Sequence, residues 1–178
     1  NDELGGTRAD LSQIAASIEQ VKAGLKESAQ KTLKHVTSVR RESALQVTHC
    51  EVFVKGVKLL KQEAMKEVWA EYDSEKVYLC GYCMSPGVLF VRDSTTARLY
   101  VKYILHKGDM DDDVHWPFKH KIRMSAIHPN GTGQRVLEAE PYPDDPYNQK
   151  PTTSNGAIWN SNASFVLTDL IREGYVDN

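Results

Sequence analysis

Leu4 is followed seven residues later by Leu11, and from there Ile14, Ile18, Val21 and Leu25 recur at intervals of three and four. This is the a/d seam of a heptad repeat, with Leu11, Ile18 and Leu25 at one position and Ile14 and Val21 at the other. Thr7 with Asp10 three residues on makes a weak capping box after the flexible Gly5-Gly6 pair, so the helix is predicted to start near Thr7. From there to about Val47 the only breaker is Gly24. At about 1.5 Å per residue such a helix is roughly 60 Å long, longer than a small domain is wide. The alternative is a single amphipathic helix packed on its own domain, but a narrow apolar stripe on so long a helix has little to pack on except copies of itself, which favours an oligomeric coiled coil. A β-branched residue occurs at each heptad position, which does not strongly favour dimers and makes a trimer the expectation.

Beyond Leu25 the seam changes phase. Strict continuation would put Ser28, Thr32 and His35 inside, whereas Ala29, Leu33 and Val36 are the apolar choice. A four-residue stutter reconciles the two and locally unwinds the supercoil. Gly24 costs about 1 kcal/mol relative to Ala, so the second half of the helix is the weaker half. Lys31, Lys34, Arg40 and Arg41 give it a basic tint. Without interleaved aromatics, and with Glu27 and Glu42 among them, this reads as a solvated face rather than a nucleic-acid surface.

The 178 residues suit one ordinary domain plus an appendage, and a formal net charge of −2 argues against a polyanion-binding chain. No apolar run approaches the roughly 18 residues of a membrane span, and no signal-peptide pattern opens the chain. The first residue is Asn rather than Met, which suggests a piece cut from something longer. Three cysteines without a secretory signal point to free thiols in a reducing compartment, hence a cytoplasmic location. There, Asn130-Gly131-Thr132 and Asn162-Ala163-Ser164 would match the glycosylation pattern without ever meeting the enzyme.

From His49 the hydrophobic period switches from 3.6 to 2. Cys50 to Lys55 alternates and predicts a first strand, and Val57 to Val68 predicts a short helix. Val77–Met84 and Val88–Arg92 read as strands flanking a Pro86-Gly87 turn. Leu99, Val101, Tyr103 and Leu105 share one face of a further strand, and Ile122, Met124 and Ala126 share a face of the next. The link between these two is too short for a parallel crossover and predicts an antiparallel arrangement. Gln134–Ala139 and Ser164–Leu170 complete the strands, with a long Pro- and Asp-rich surface loop over 140–157 between them. Short strands at even spacing with turn signals predict an antiparallel β-sandwich. The predicted organisation is thus a coiled-coil helix over 1–48 and a mainly β sandwich over 49–178.

Candidate chemistry is sparse. Cys80-Gly81-Tyr82-Cys83 has the spacing of a thiol–disulfide exchange site, but Ser85-Pro86-Gly87 prevents the helix that would lower a thiol pKa. The odd spacing would put the two thiols on opposite faces of a strand, and no second ligand pair completes a zinc site. Buried strand cysteines are the better account. Asp109-Met110-Asp111-Asp112-Asp113 opens like a calcium loop, but Val114 and His120 stand where an EF-hand needs Gly and Glu, leaving a solubilising surface loop. His106, His115, His120 and His128 cluster without a nucleophile or a carboxylate pair, and there is no glycine-rich phosphate loop. Neither an enzyme nor a cofactor or metal protein is indicated.

Leu105-His106-Lys107-Gly108, the acidic stretch, Trp116-Pro117-Phe118 and the terminal Gly174-Tyr175-Val176-Asp177-Asn178, behind a heptad helix, resemble the C-terminal half of the tumour necrosis factor receptor-associated factors (TRAFs). Their sandwich is also called a MATH domain. The resemblance covers nearly the whole chain, strongest from Gly81 to Pro129 and Gly174 to Asn178. It implies a cytoplasmic, homotrimeric signalling adaptor whose sandwich binds extended peptides from receptor tails or other adaptors along a sheet edge. Ubiquitin ligation would require an upstream RING. Gly87 and Leu89 fall where receptor-binding members carry a groove-lining Arg and Tyr. Asp93 stands at a loop acid, Tyr147 near a run of serines and Trp159 near a Ser-Gly-Cys segment. These three are the implied peptide-binding positions. The resemblance further implies a last sandwich strand after Asn178. The contrasting reading is a structural oligomerisation module whose sandwich has lost peptide binding.

Overall fold

The computed structural model describes residues 2–156 and 158–176; side chains are described for 11–156, 158 and 162–176. The chain divides into two compact units, Asn1–Ser43 and Ala44–Asn178.

Helix α1 spans Asp2–Gln46. It begins before the predicted Thr7 cap and continues through Gly5-Gly6. Each glycine costs about 1 kcal/mol relative to Ala, but propagation adds a hydrogen bond per residue, so a long helix tolerates both. Its 45 residues extend about 68 Å at 1.5 Å per residue. Leu11, Ile14, Ile18, Val21 and Leu25 are 55–67% exposed, and Leu33 and Val36 are exposed as well. The side chain of Leu4 lies outside the described residues. In the half where the seam shifts, Thr32 and Thr37 donate to the carbonyls of Ser28 and Leu33 at 3.0 and 2.8 Å. Such bonds back to the preceding turn weaken a helix slightly.

The second unit is built on antiparallel β-sheets. Cys50–Lys55, predicted as a strand, is irregular. Its burial still alternates, with Cys50, Val52 and Val54 half-buried and Glu51, Phe53 and Lys55 exposed. No described strand lies beside it to supply a ladder. The bond from the Tyr72 hydroxyl to the Phe53 carbonyl ties it down instead. Helix α2 (Val57–Glu67) follows as expected, with Val57, Leu60 and Ala64 against the core.

Strands β1 (Trp69–Asp73), β2 (Val77–Leu79), β3 (Tyr82–Asp93), β4 (Thr96–Leu105) and β7 (Ile158–Val166) form a five-stranded sheet in the order β1-β3-β4-β7, with β2 also pairing β3. β5 (Ile122–Ile127) and β6 (Gln134–Ala139) form a separate hairpin. The two strands expected to be neighbours, β4 and β5, therefore lie in different sheets. β4 is satisfied by β3 and β7 on its two edges, so the link from His106 to Lys121 crosses between sheets rather than closing a hairpin.

Pro86-Gly87 is not a turn; β3 runs straight through it. β2 pairs residues 82–84 of β3 and β1 pairs residues 87–91. Pro86 falls in the gap between them, where no ladder donor is needed, and its carbonyl accepts from Ser74 N at 2.9 Å. The actual turn is at Cys80-Gly81, with φ of 50° and 84°, so Cys80 is a turn residue rather than a strand residue. The predicted strand over Ser164–Leu170 ends at Val166, where helix α3 (Leu167–Arg172) begins. Leu167 and Leu170 recur at helical spacing and both are buried.

Alternation along the strands sends one set of side chains inward. Ala70, Val88, Phe90, Ala97, Leu99 and Phe165 pack with Leu167 and Leu170 of α3 and with Met124, Ala126 and Leu137 of the β5–β6 hairpin. Each large side chain fully buried here, such as Phe90, contributes about 1.5–3 kcal/mol. A second cluster holds Tyr82, Met84, Tyr103, Leu105 and Phe118. The Phe118 and Trp116 rings meet Tyr82 edge-on at 4.9 and 5.1 Å. The Trp-Pro-Phe triplet is a core anchor.

Candidate functional site

The inward set fixes the outward one. Trp69, Glu71 and Asp73 of β1, Ser85, Gly87, Leu89 and Asp93 of β3, and Arg98, Tyr100, Lys102 and His106 at β4 all project from the opposite, outer face of the main sheet. Gly87 pairs with Lys102 on one side and with Asp73 on the other. With no side chain between them, Lys102 reaches across β3. Its Nζ lies 2.6 Å from Glu71 Oε2 and 2.7 Å from Asp73 Oδ1, while its side chain is only 2% exposed. A Cβ at Gly87 would stand 2.3 Å from the Tyr72 carbonyl oxygen and 2.8 Å from Asp73 Oδ1. A long side chain at position 87 is therefore incompatible with this arrangement.

A second pair lies farther along. Arg98 Nε donates to Asp93 Oδ2 at 2.7 Å and Arg98 Nη1 to Ser164 Oγ of β7 at 3.3 Å. The hydrogen bond and charge of Asp93 hold the Arg98 guanidinium above its ordinary pKa. At the other end of β4, His106 is clasped between two hydroxyls, Ser85 Oγ at 2.9 Å from Nε2 and Ser154 Oγ at 2.8 Å from Nδ1. Burial, then the charge of Lys76, push its pKa down, with Asp73 opposing. No carboxylate orients the ring, so the arrangement fastens residues 153–155 onto β4 rather than activating a nucleophile. Lys107 N donates to Thr153 O at 2.6 Å and Asn155 N to Leu105 O at 2.8 Å in support.

β7 is paired to β4 on one side only; no described strand covers its other edge. Such an edge presents a row of backbone donors and acceptors.

The TRAF/meprin MATH-domain model matches residues 71–178. The chain belongs to this family. No individual curated protein matches alongside it. MATH domains are protein-interaction modules, typically non-catalytic, and this sandwich behind a long helix fits a TRAF-like protein. Among the described residues, no helix is long and apolar enough to cross a membrane.

Within the MATH sandwich the three positions implied by the resemblance are strung along β7 rather than gathered. Asp93 is at its Val166 end, tied through Arg98 to Ser164. Tyr147 is at the start, half-exposed, with its ring against Gly156 and its backbone N donating to Asp145 Oδ1 at 2.8 Å. Trp159 pairs with Lys102 in the ladder, but its side chain lies outside the described residues. Gly87 and Leu89, the positions at which the resemblance implied an Arg and a Tyr, are bridged by the Lys102 ion pairs and buried, respectively.

Sequence reasoning missed Glu71, Asp73 and Lys102. Lys102 sits at an ordinary polar position of an alternating strand, and its partners lie on β1, a strand that was not predicted. The other motifs have structural roles. Cys83 is buried and burial raises its thiol pKa. The acidic stretch is more than a solubilising loop. Asp111 is buried, with Oδ2 accepting from Gly108 N at 3.1 Å and its carbonyl accepting from Trp116 Nε1 at 3.0 Å.

Proposed function

We propose that this chain is a cytoplasmic signalling adaptor that trimerises through the helix over 1–48 and binds extended peptide segments of receptor tails or other adaptors through the sandwich over 49–178. The observation that carries this reading is a long helix with an exposed heptad stripe joined in one chain to a MATH sandwich. A stripe of Leu, Ile and Val in water costs free energy that self-association relieves. The β7 edge that no described strand pairs supports strand addition, in which a ligand's backbone supplies a ladder and side-chain pockets supply selectivity. We assign the reading of the ligand to Asp93, Tyr147 and Trp159, the three positions that the family resemblance implies. Light scattering at micromolar concentration is expected to give three copies, and Ile14→Glu with Ile18→Glu to give one; a monomer in the parent chain would sink the trimer.

A second reading, a structural oligomerisation module without peptide binding, is favoured by Gly87 and Leu89 standing where a ligand-reading pair would be needed. Binding of receptor-tail peptides that saturates and is lost in Tyr147→Ala would exclude it.

A further inference from the structure

We infer that the sandwich docks by the stretch from Phe53 to Lys61 onto the surface of a membrane that carries anionic lipid. Among the described residues of the sandwich unit, Phe53 and Leu59 are the most exposed large apolar side chains, at 77% and 70%. They belong to one patch. Lys55-Gly56 turns the chain into α2. Leu59 Cδ1 lies 4.0 Å from where a Cβ on Gly56 would stand, so Leu59 folds back over the turn that follows Phe53. The backbone beneath is held. The Tyr72 hydroxyl donates to the Phe53 carbonyl at 2.9 Å, and Val57, Leu60 and Ala64 anchor the opposite side of α2 in the core. The two apolar side chains therefore project from a fixed support.

Charge decides what covers them. Residues 52–62 hold Lys55, Lys58 and Lys61 and no acid. Lys55 and Lys58 are exposed and Lys61 is half-buried. Among the described residues, none of the three is engaged by a carboxylate. Glu51 and Glu63 bound the stretch, and Lys66 is paired with Glu67 at 3.0 Å. Arg92, exposed and donating to the Met65 carbonyl at 3.1 Å, adds a cation at the far end of α2. The patch is thus apolar at its tips and positive around them. A protein partner would need a pocket matched to two projecting side chains and acids matched to three lysines. An anionic lipid surface needs no matched shape: the acyl boundary takes up the apolar tips while the headgroups face the lysines, and the two contributions add. Lysine stems can lie along that boundary with their ammonium groups in the headgroup layer.

The test is co-sedimentation of the full chain with vesicles of phosphatidylcholine alone and of phosphatidylcholine mixed with phosphatidylserine, at several salt concentrations. Binding is expected only to the mixed vesicles and should weaken as salt rises. Phe53→Ser with Leu59→Ser should weaken it about tenfold or more, and Lys55→Glu with Lys58→Glu to a similar degree. Both pairs should keep the thermal midpoint of the sandwich, since all four side chains are exposed. Equal binding to both kinds of vesicle would overturn the inference, as would no binding to either. So would binding to the mixed vesicles that either pair of variants leaves unmoved, the result expected if the apolar stripe of α1 were responsible. None of these outcomes bears on peptide binding at the β7 edge.

Discussion

At the scale of single residues, Lys102 and His106 make opposite bargains with burial. The Lys102 ammonium is covered by two carboxylates. Its protection is asymmetric: removing the lysine leaves two partly exposed acids that water can solvate, whereas removing the acids strands a buried ammonium. Lys102→Met should therefore change stability by about 1 kcal/mol or less, and Glu71→Gln with Asp73→Asn should cost about 3–5 kcal/mol, read by urea denaturation. For His106, burial instead disfavours the charged form. Its folded-state pKa lies below the ordinary 6.5, so the unfolded chain binds the extra proton first as the pH falls. Its contribution to stability should be complete above about pH 6.5 and be lost as the pH drops through the lower, folded value. His106→Asn should flatten that part of the stability–pH curve; an unchanged slope would show that the Ser85–His106–Ser154 clasp is not what titrates.

At the scale of elements, the sequence revealed periods better than partners. The alternation of β4, β5 and β6 and the helical stripe of α2 were legible because burial on one face writes a period into the chain. Which strand pairs with which was not, since β4 and β5 each carry a clean alternation and neither records that they belong to different sheets. β1 escaped because Trp69-Ala70-Glu71-Tyr72-Asp73 alternates with only a small Ala and a Tyr facing inward. Pro86-Gly87 misled because a proline in a strand is harmless wherever the neighbouring strands leave a gap, which only the assembled sheet shows. The ion-paired face was hidden for the same reason: it takes β1, β3 and β4 together to exist. The turn at Cys80-Gly81 is tightly determined. Cys80 N and Gly81 N donate to the carbonyls of Val47 and Ala44 at 2.6 and 3.2 Å. A Cβ on Gly81 would lie 2.6 Å from both Leu45 Cδ2 and Val114 Cγ1 at a φ of 84°. Gly81→Ala should destabilise the sandwich by about 2 kcal/mol through backbone strain and crowding, measured as a lowered denaturation midpoint.

For the whole molecule, the two units rest on different physics. The sandwich buries its own core, whereas the Leu11–Leu25 stripe of the helix is exposed. If copies cover it, helical melting should shift upward with protein concentration by mass action while the sandwich transition stays put; circular dichroism scans across a hundredfold dilution series would separate the two, and a concentration-independent helix signal would contradict self-association. A last consequence comes from Asn148, fully buried in the stretch between β6 and β7. It accepts from the Tyr103 hydroxyl at 2.8 Å, donates to the Tyr142 carbonyl at 2.8 Å and offers its own carbonyl to Phe118 N at 2.8 Å. Polar and proline-rich, that stretch looks like a place where evolution could splice residues in or out at will. It is instead fastened at its midpoint to both the main sheet and the Trp-Pro-Phe anchor. Changes in its length would be tolerated only on either side of that rivet, so the room for new recognition loops on this scaffold comes as two short arms rather than one long one.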